Sequence, residues 1–290
     1  MNPAAVRLPP GFPAFGRVFV VGGDGKLYSR DITAASATQG DWQRYDPPGG
    51  QVWASSPFVT VAGSSLLVFL TDVDGFVNQL TLDAAGGVEW FTLTPNNQSF
   101  KAVSRPFAQP IALTTDAKVF VFALEEGTDI LKLFECDTTT VINGEFEWDD
   151  LGRPATNDGI AARPDAHAPS GYIENTGRSN DIEGKHIFLR GADNRLYERM
   201  DDTAGGDPRW EDRTRPGDPE LRDSPTVDIA VSGPITTLRV LSASGRNSVV
   251  VWEFEITRGD IPEDPERRAA LLNEALASSV DNDYQRQTLN

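Results

Sequence analysis

Four tryptophans in this chain, Trp42, Trp90, Trp148 and Trp210, are each followed by a proline at almost the same distance. Pro57, Pro106, Pro164 and Pro225 stand 15, 16, 16 and 15 residues further on. Each of these prolines follows a serine or an arginine (Ser56, Arg105, Arg163, Ser224). A spacing held through four otherwise divergent segments marks an internal repeat, and a repeat limits the choice of folds more than composition does.

The stretch after each proline is rich in strand formers. Leu66–Leu70, Lys118–Phe122, His186–Arg190 and Leu238–Leu241 are short runs of β-branched, aromatic and leucine residues. Most end at a turn containing Asp, Asn or Gly, such as Asp74-Gly75, Asp193-Asn194 and Ser244-Gly245, and a second run then begins at once. This is a hairpin signature. The chain start supplies the same unit without a preceding tryptophan: Pro3, then Val18–Val21, Asp24-Gly25 and Lys26-Leu27-Tyr28. Five units thus begin near Pro3, Pro57, Pro106, Pro164 and Pro225. Each holds four strands, one near the proline, two in the hairpin and one at the tryptophan. Units of about 50 residues built as small antiparallel sheets predict an all-β, five-bladed β-propeller occupying residues 1–290 as a single domain.

Two places depart from the pattern. Ala166–Gly184, rich in Gly, Asn and Ser, reads as an insertion between the first and second strands of the fourth unit. In the fifth unit the expected tryptophan is missing. Gly259–Pro265 leads instead into a stretch with Ala269, Leu272 and Leu276 at helical spacing, which predicts one short helix near 266–278 inside the last blade. Beyond it, Asp283-Tyr284-Gln285-Arg286 parallels Asp41-Trp42-Gln43-Arg44, so Tyr284 is expected to replace the tryptophan and complete the last blade.

The formal net charge of −17 opposes binding to nucleic-acid backbones and anionic membranes. No run approaches the ~18 apolar residues of a membrane span. The N-terminus lacks the basic start and apolar run of a signal peptide. The expected location is therefore cytoplasmic, or outside the cell without a recognisable signal peptide. Cys136 is the only cysteine and has just His167 and His186 as other soft ligands, so neither a metal site nor a cofactor is expected.

Trp42, Trp90, Trp148 and Trp210, the Ser/Arg-Pro after each, and the segments Gly23-Asp24-Gly25-Lys26-Leu27-Tyr28 and Gly191-Ala192-Asp193-Asn194-Arg195-Leu196-Tyr197 resemble the tectonin and tachylectin group of propeller lectins. That resemblance implies a non-enzymatic carbohydrate-binding module with sites between adjacent blades and glycans or a glycoprotein surface as partner. The candidate stacking residues are Trp42, Trp90, Trp148 and Trp210, with Trp53 added as a tryptophan outside the repeat; an indole face packs well on the C–H face of a sugar. The same tryptophans would also serve as packing between sheets. A second function class is a protein-interaction scaffold whose ring face docks a protein partner. The residues beside the repeated tryptophans (Gln43-Arg44, Phe91-Thr92, Asp149-Asp150, Glu211-Asp212) do not repeat, which argues for one or two sites rather than five equivalent ones.

Other motifs carry less. Glu135-Cys136 matches one element of the five-bladed glycosidases, but the aspartate segments that such enzymes need in the first two blades are absent. Asp72-Val73-Asp74-Gly75 lacks the oxygen donors of a calcium loop and reads as a turn. Arg258-Gly259-Asp260 is too short to signify adhesion. Neither histidine belongs to a recognisable catalytic triad.

Overall fold

The computed structural model describes residues 2–33, 41–93, 100–112, 117–137, 148–155, 168–174, 184–202, 208–232, 235–244 and 249–257. They form five small antiparallel sheets, each a simple up-and-down meander. Blade one is β1 (Ala4–Arg7), β2 (Gly16–Val21), β3 (Leu27–Ile32) and β4 (Gln43–Tyr45). Blade two is β5 (Phe58–Ala62), β6 (Ser65–Thr71), β7 (Val77–Leu82) and β8 (Val88–Thr92). Blade three is β9 (Phe107–Ala112), β10 (Ala117–Leu124), β11 (Leu131–Asp137) and β12 (Asp149–Asp150). Blade four is β13 (Ser170–Glu174), β14 (Gly184–Arg190), β15 (Leu196–Asp202) and β16 (Arg209–Asp212), and blade five is β17 (Thr226–Ser232), β18 (Ile235–Ala243) and β19 (Val249–Thr257).

The first strands line up around an axis, β1 against β5, β5 against β9, β9 against β13, and β13 against β17. This is a β-propeller. Pro57, Pro106 and Pro225 are buried just ahead of β5, β9 and β17, where a missing N–H breaks no ladder. Blade four differs from the sequence reading in one respect. Its first strand lies inside the supposed insertion, with Ser170 opposite Phe188 and Tyr172 opposite His186. Alternating Tyr172 and Ile173 reach the cores on either side, which the Gly- and Asn-rich surroundings concealed. The fifth sheet has three strands among the described residues. The expected helix at 266–278, Tyr284, Pro164, His167 and the Arg258 tripeptide lie outside the described residues.

Each blade buries both faces only against neighbours, so the core consists of seams. One cluster joins blades one and two around Phe19, Leu27, Trp53 and Leu80; the next joins blades two and three around Phe69, Val121 and Trp148. A third joins blades three and four around Phe122, Leu133 and Ile187, and a fourth joins blades four and five around Phe188, Val240 and Trp252.

The hairpin turns between second and third strands repeat in detail. Gly25, Gly75 and Asn194 occupy the left-handed region (φ 70°, 87° and 65°), and each offers its carbonyl to the segment that leads to the next blade. Trp53 N–H bonds Gly25 O at 3.0 Å, Ala102 N–H bonds Gly75 O at 2.8 Å, and Leu221 N–H bonds Asn194 O at 3.0 Å. Trp53, Ala102 and Leu221 then bridge to the turn of the blade they enter, at Asp72, Glu125 and Ser244. The Asp-x-(Lys/Arg)-Leu-Tyr segments are clasps on these turns. The Tyr28 phenol donates to Asp24 at 2.8 Å and the Tyr197 phenol to Asp193 at 2.7 Å.

Candidate functional site

The five candidate tryptophans fall in different surroundings. Trp148 is buried between Phe100 and Phe134, and its indole N–H donates to the Leu93 carbonyl of blade two at 3.0 Å. Trp210 is half-buried, and its N–H donates to Leu151 of blade three at 3.2 Å. Both acceptors lie three residues beyond the tryptophan of the preceding blade, so in blades three and four the repeated tryptophan is an interblade latch, whereas the buried Trp90 N–H has no hydrogen-bond partner among the described residues. Trp90 faces the same way but stacks on Trp53 at 5.1 Å and 17°. Trp53 is buried, and it belongs to the repeat: it stands four residues before Pro57, as Ala102 does before Pro106 and Leu221 before Pro225. Trp42 alone is exposed (48%), with the Arg30 guanidinium 6.0 Å above its ring. Only Trp53 and Trp90 are brought together.

A site emerges when the strand registers are used to compare one seam with another. On the blade face that meets the next blade, Arg17 of blade one, Leu67 of blade two, Phe120 of blade three and His186 of blade four occupy one position. A second holds Ser29, Gln79, Leu133 and Glu198, the residue two beyond the start of each third strand's pairing. A third, three residues after the repeated tryptophan, holds Tyr45, Leu93, Leu151 and Arg213. Blade three is wholly apolar at these positions. Blade four places His, Glu and Arg there.

Those three side chains form one cluster facing blade five. Glu198 is its floor, 2% exposed. His186 Nδ1 donates to Glu198 Oε1 at 2.7 Å, and Arg213 Nε donates to Glu198 Oε2 at 2.5 Å. Arg213 also reaches Glu211 at 2.8 Å and the Met200 sulfur at 3.1 Å. Its guanidinium lies 5.3 Å over the ring of Phe254 from blade five, which is itself stacked on Phe188 at 5.5 Å. His186 and Arg213 keep partial solvent access. Deeper in the same seam, burial lowers the pKa of Arg190, a shift that Asp223 partly offsets. A buried ion cluster carries a large desolvation cost that apolar residues avoid at the corresponding positions of blade three. The seam between blades one and two also holds an ion pair, Arg17–Asp31, but its carboxylate is 31% exposed, whereas the blade four cluster seals its carboxylate at 2% and holds it from two sides, which marks that seam as the functional one.

Two open grooves lie elsewhere, between blades one and two. One of about 540 Å³ is lined by Gly22–Gly25, Val52 and Trp53, the other, of about 620 Å³, by Gln51, Asp72–Asp74, Phe76 and Thr92. Their aspartates already serve the turns: Asp72 accepts from the amides of Asp74 and Phe76 and from Asn78. The blade four cluster has converging polar groups beside an aromatic ring and is the better candidate. Among the described residues no group of three or more His, Cys, Asp and Glu side chains could hold a metal ion.

The fold is shared with solved propellers. No protein-family model matches the chain, and no curated protein matches it in sequence. BP39L lectin from Burkholderia pseudomallei is similar over 91% of this chain and 70% of its own, at 17% identity and a TM-score of 0.54. AofleA from Arthrobotrys oligospora is similar over 88% and 72%, at 11% identity and a TM-score of 0.55. A mutant of Aleuria aurantia lectin, solved in complex with α-methyl-L-fucoside, is similar over 89% and 78%, at 12% identity and a TM-score of 0.51. At these identities the likeness is one of fold.

Proposed function

We propose that this propeller is a non-enzymatic carbohydrate-binding module and that its working site is the seam between blades four and five. The observation that carries the reading is the buried His186–Glu198–Arg213 cluster beside Phe254, where the corresponding residues of blade three are apolar. A sugar needs this combination: an acceptor carboxylate, a multidentate donor and an aromatic face for its C–H groups. Each oxygen of Glu198 has one bond from the protein and keeps a lone pair for a hydroxyl. Arg213 Nη2 donates to a thioether, a weak acceptor that a sugar hydroxyl displaces at little cost. The lectin neighbours support a glycan ligand, and the clasped hairpins of blades one and four support a kinship with tectonins and tachylectins.

The test is a glycan array followed by calorimetry with α-methyl-L-fucoside and the best array ligand. Binding is expected with a stoichiometry near one. Arg213→Ala is expected to weaken it by about 2 kcal/mol, roughly thirtyfold, with circular dichroism unchanged. Unaltered affinity in both Arg213→Ala and Glu198→Gln sinks the site. A second reading rests on Val52, Val73 and Val103, exposed together around the turns of one ring face. An array without ligands, together with capture of a protein partner that Val73→Asp abolishes, would favour a docking scaffold.

A further inference from the structure

Arg213 uses its three nitrogens unequally. Nε donates to Glu198 and Nη1 to Glu211, both carboxylates, whereas Nη2 donates to the Met200 sulfur at 3.1 Å. A thioether is a weak acceptor, so Nη2 is the nitrogen that a ligand hydroxyl takes over. The strand registers show what the other blades place where Met200 stands. Met200 lies opposite His186 and two residues beyond Glu198, on the same face of β15. Its counterparts are Asp31 opposite Arg17, Thr81 opposite Leu67 and Glu135 opposite Phe120. All three offer oxygen, and each accepts from a donor of its own blade: Asp31 from Arg17 at 2.6 Å, Thr81 from Gln79 at 3.0 Å, and Glu135 from Lys118. Blade four holds sulfur where these three blades hold oxygen. One oxygen atom added to Met200 supplies the acceptor that its counterparts already have.

We infer that Met200 is an oxidation site that switches this seam, leaving Arg213 Nη2 to a glycan hydroxyl as the thioether and occupying it as the sulfoxide. The inference rests on the reading of the seam as the glycan site. Met200 is half-buried, and its sulfur has a second lone pair besides the one that faces Arg213. With hydrogen peroxide as the oxidant, a sulfur lone pair attacks one peroxide oxygen. The O–O bond breaks as the S–O bond forms, and the departing hydroxide takes the proton left on the sulfoxide oxygen to become water. Sulfur gives up two electrons and the peroxide gains them. The new oxygen accepts from the guanidinium in a charge-assisted bond, so a glycan hydroxyl must displace a strong acceptor in place of a weak one. Sulfoxide reductases return the thioether, which makes the switch reversible.

The test uses the full chain treated with dilute hydrogen peroxide. Peptide mass mapping should place one added oxygen on Met200; the chain's other methionine is Met1. Calorimetry with the best array ligand should then show affinity lowered about tenfold, regained after treatment with methionine sulfoxide reductase. Met200→Gln, which puts an amide oxygen at the same place, should weaken binding similarly without peroxide. Met200→Leu should bind equally before and after peroxide, whatever its own affinity. Failure of Met200 to oxidise, unchanged affinity of the oxidised protein, or an equal peroxide loss in Met200→Leu each overturns the inference. A readout without glycan separates it from the reading of the site. By nitrogen-15 NMR of arginine-labelled protein, exchange of the Arg213 Nη2 protons with water should slow about tenfold on oxidation. If the untreated protein binds no glycan, that reading fails and this exchange decides for Met200: slowed exchange supports the switch on Arg213, and unchanged exchange overturns it.

Discussion

Tyr28 and Tyr197 each close a hairpin by donating a phenol proton to an aspartate four residues upstream, and the two clasps differ in burial. Tyr197 is the buried one. Its pKa is pushed far above the ordinary 10.0, first by burial and then by the bond to Asp193. The fold therefore holds this proton more tightly than the unfolded chain does. The resulting stability is complete below about pH 10 and falls as pH rises toward the folded value. An ultraviolet titration of the five tyrosines should show one that ionises only as the protein unfolds in alkali, and Tyr197→Phe should remove that step. Gly75 makes a separate case. Its φ is 87°, and an added Cβ would stand 2.8 Å from Lys101 Cβ. Gly75→Ala should cost about 1–2 kcal/mol in chemical denaturation, because both the left-handed backbone and the connector behind it oppose a side chain.

At the scale of the blade, the useful comparison is between seams that share geometry and differ in chemistry. Blade three meets blade four with Phe120, Leu133 and Leu151; blade four meets blade five with His186, Glu198 and Arg213. Replacing the second set by the first (His186→Phe, Glu198→Leu and Arg213→Leu together) should raise stability, by about 1–4 kcal/mol in denaturant melts, since apolar packing commonly outperforms a buried ion cluster. The same protein should lose glycan binding. A triple variant that is destabilised and still binds would show that the cluster is a structural element only. The latches belong to this scale as well. Trp148 and Trp210 commit their indole N–H groups to a neighbouring blade, so their repetition reflects ring assembly rather than a row of sugar platforms.

For the whole molecule, the blades differ in their seams: among the described residues the seam after blade one holds Arg17 and Asp31 beside Tyr45 and Phe12, but only the seam after blade four seats a fully buried carboxylate, Glu198, between two donors beside an aromatic ring. One site per ring follows, in place of the avidity that equivalent sites would give. With a net charge of −17, neutral glycans are expected to exceed sialylated or sulfated ones in array signal at low salt, and the difference should shrink as salt rises.

Much of the architecture was legible in the chain, because each blade is local: hairpin turns, alternating strands and a tryptophan and a proline at set offsets lie within some 50 residues. The first strand of blade four escaped because Ser170–Glu174 is short and its neighbours look like loop. The site was not legible for a different reason. His186, Glu198 and Arg213 belong to one blade, 12 and 15 residues apart, but form no recognisable motif, and their significance appears only when pairing registers align them with Phe120, Leu133 and Leu151 and packing brings Phe254 of blade five against them. The role of Trp53 was hidden likewise, since its counterparts are an alanine and a leucine, related by position and not by residue type. The tryptophan and proline spacing therefore determined that there are five units and what kind of sheet each forms. Which tryptophans are sealed and which seam buries a carboxylate were decided by packing between blades, where the contacts join residues of neighbouring units that no local pattern records.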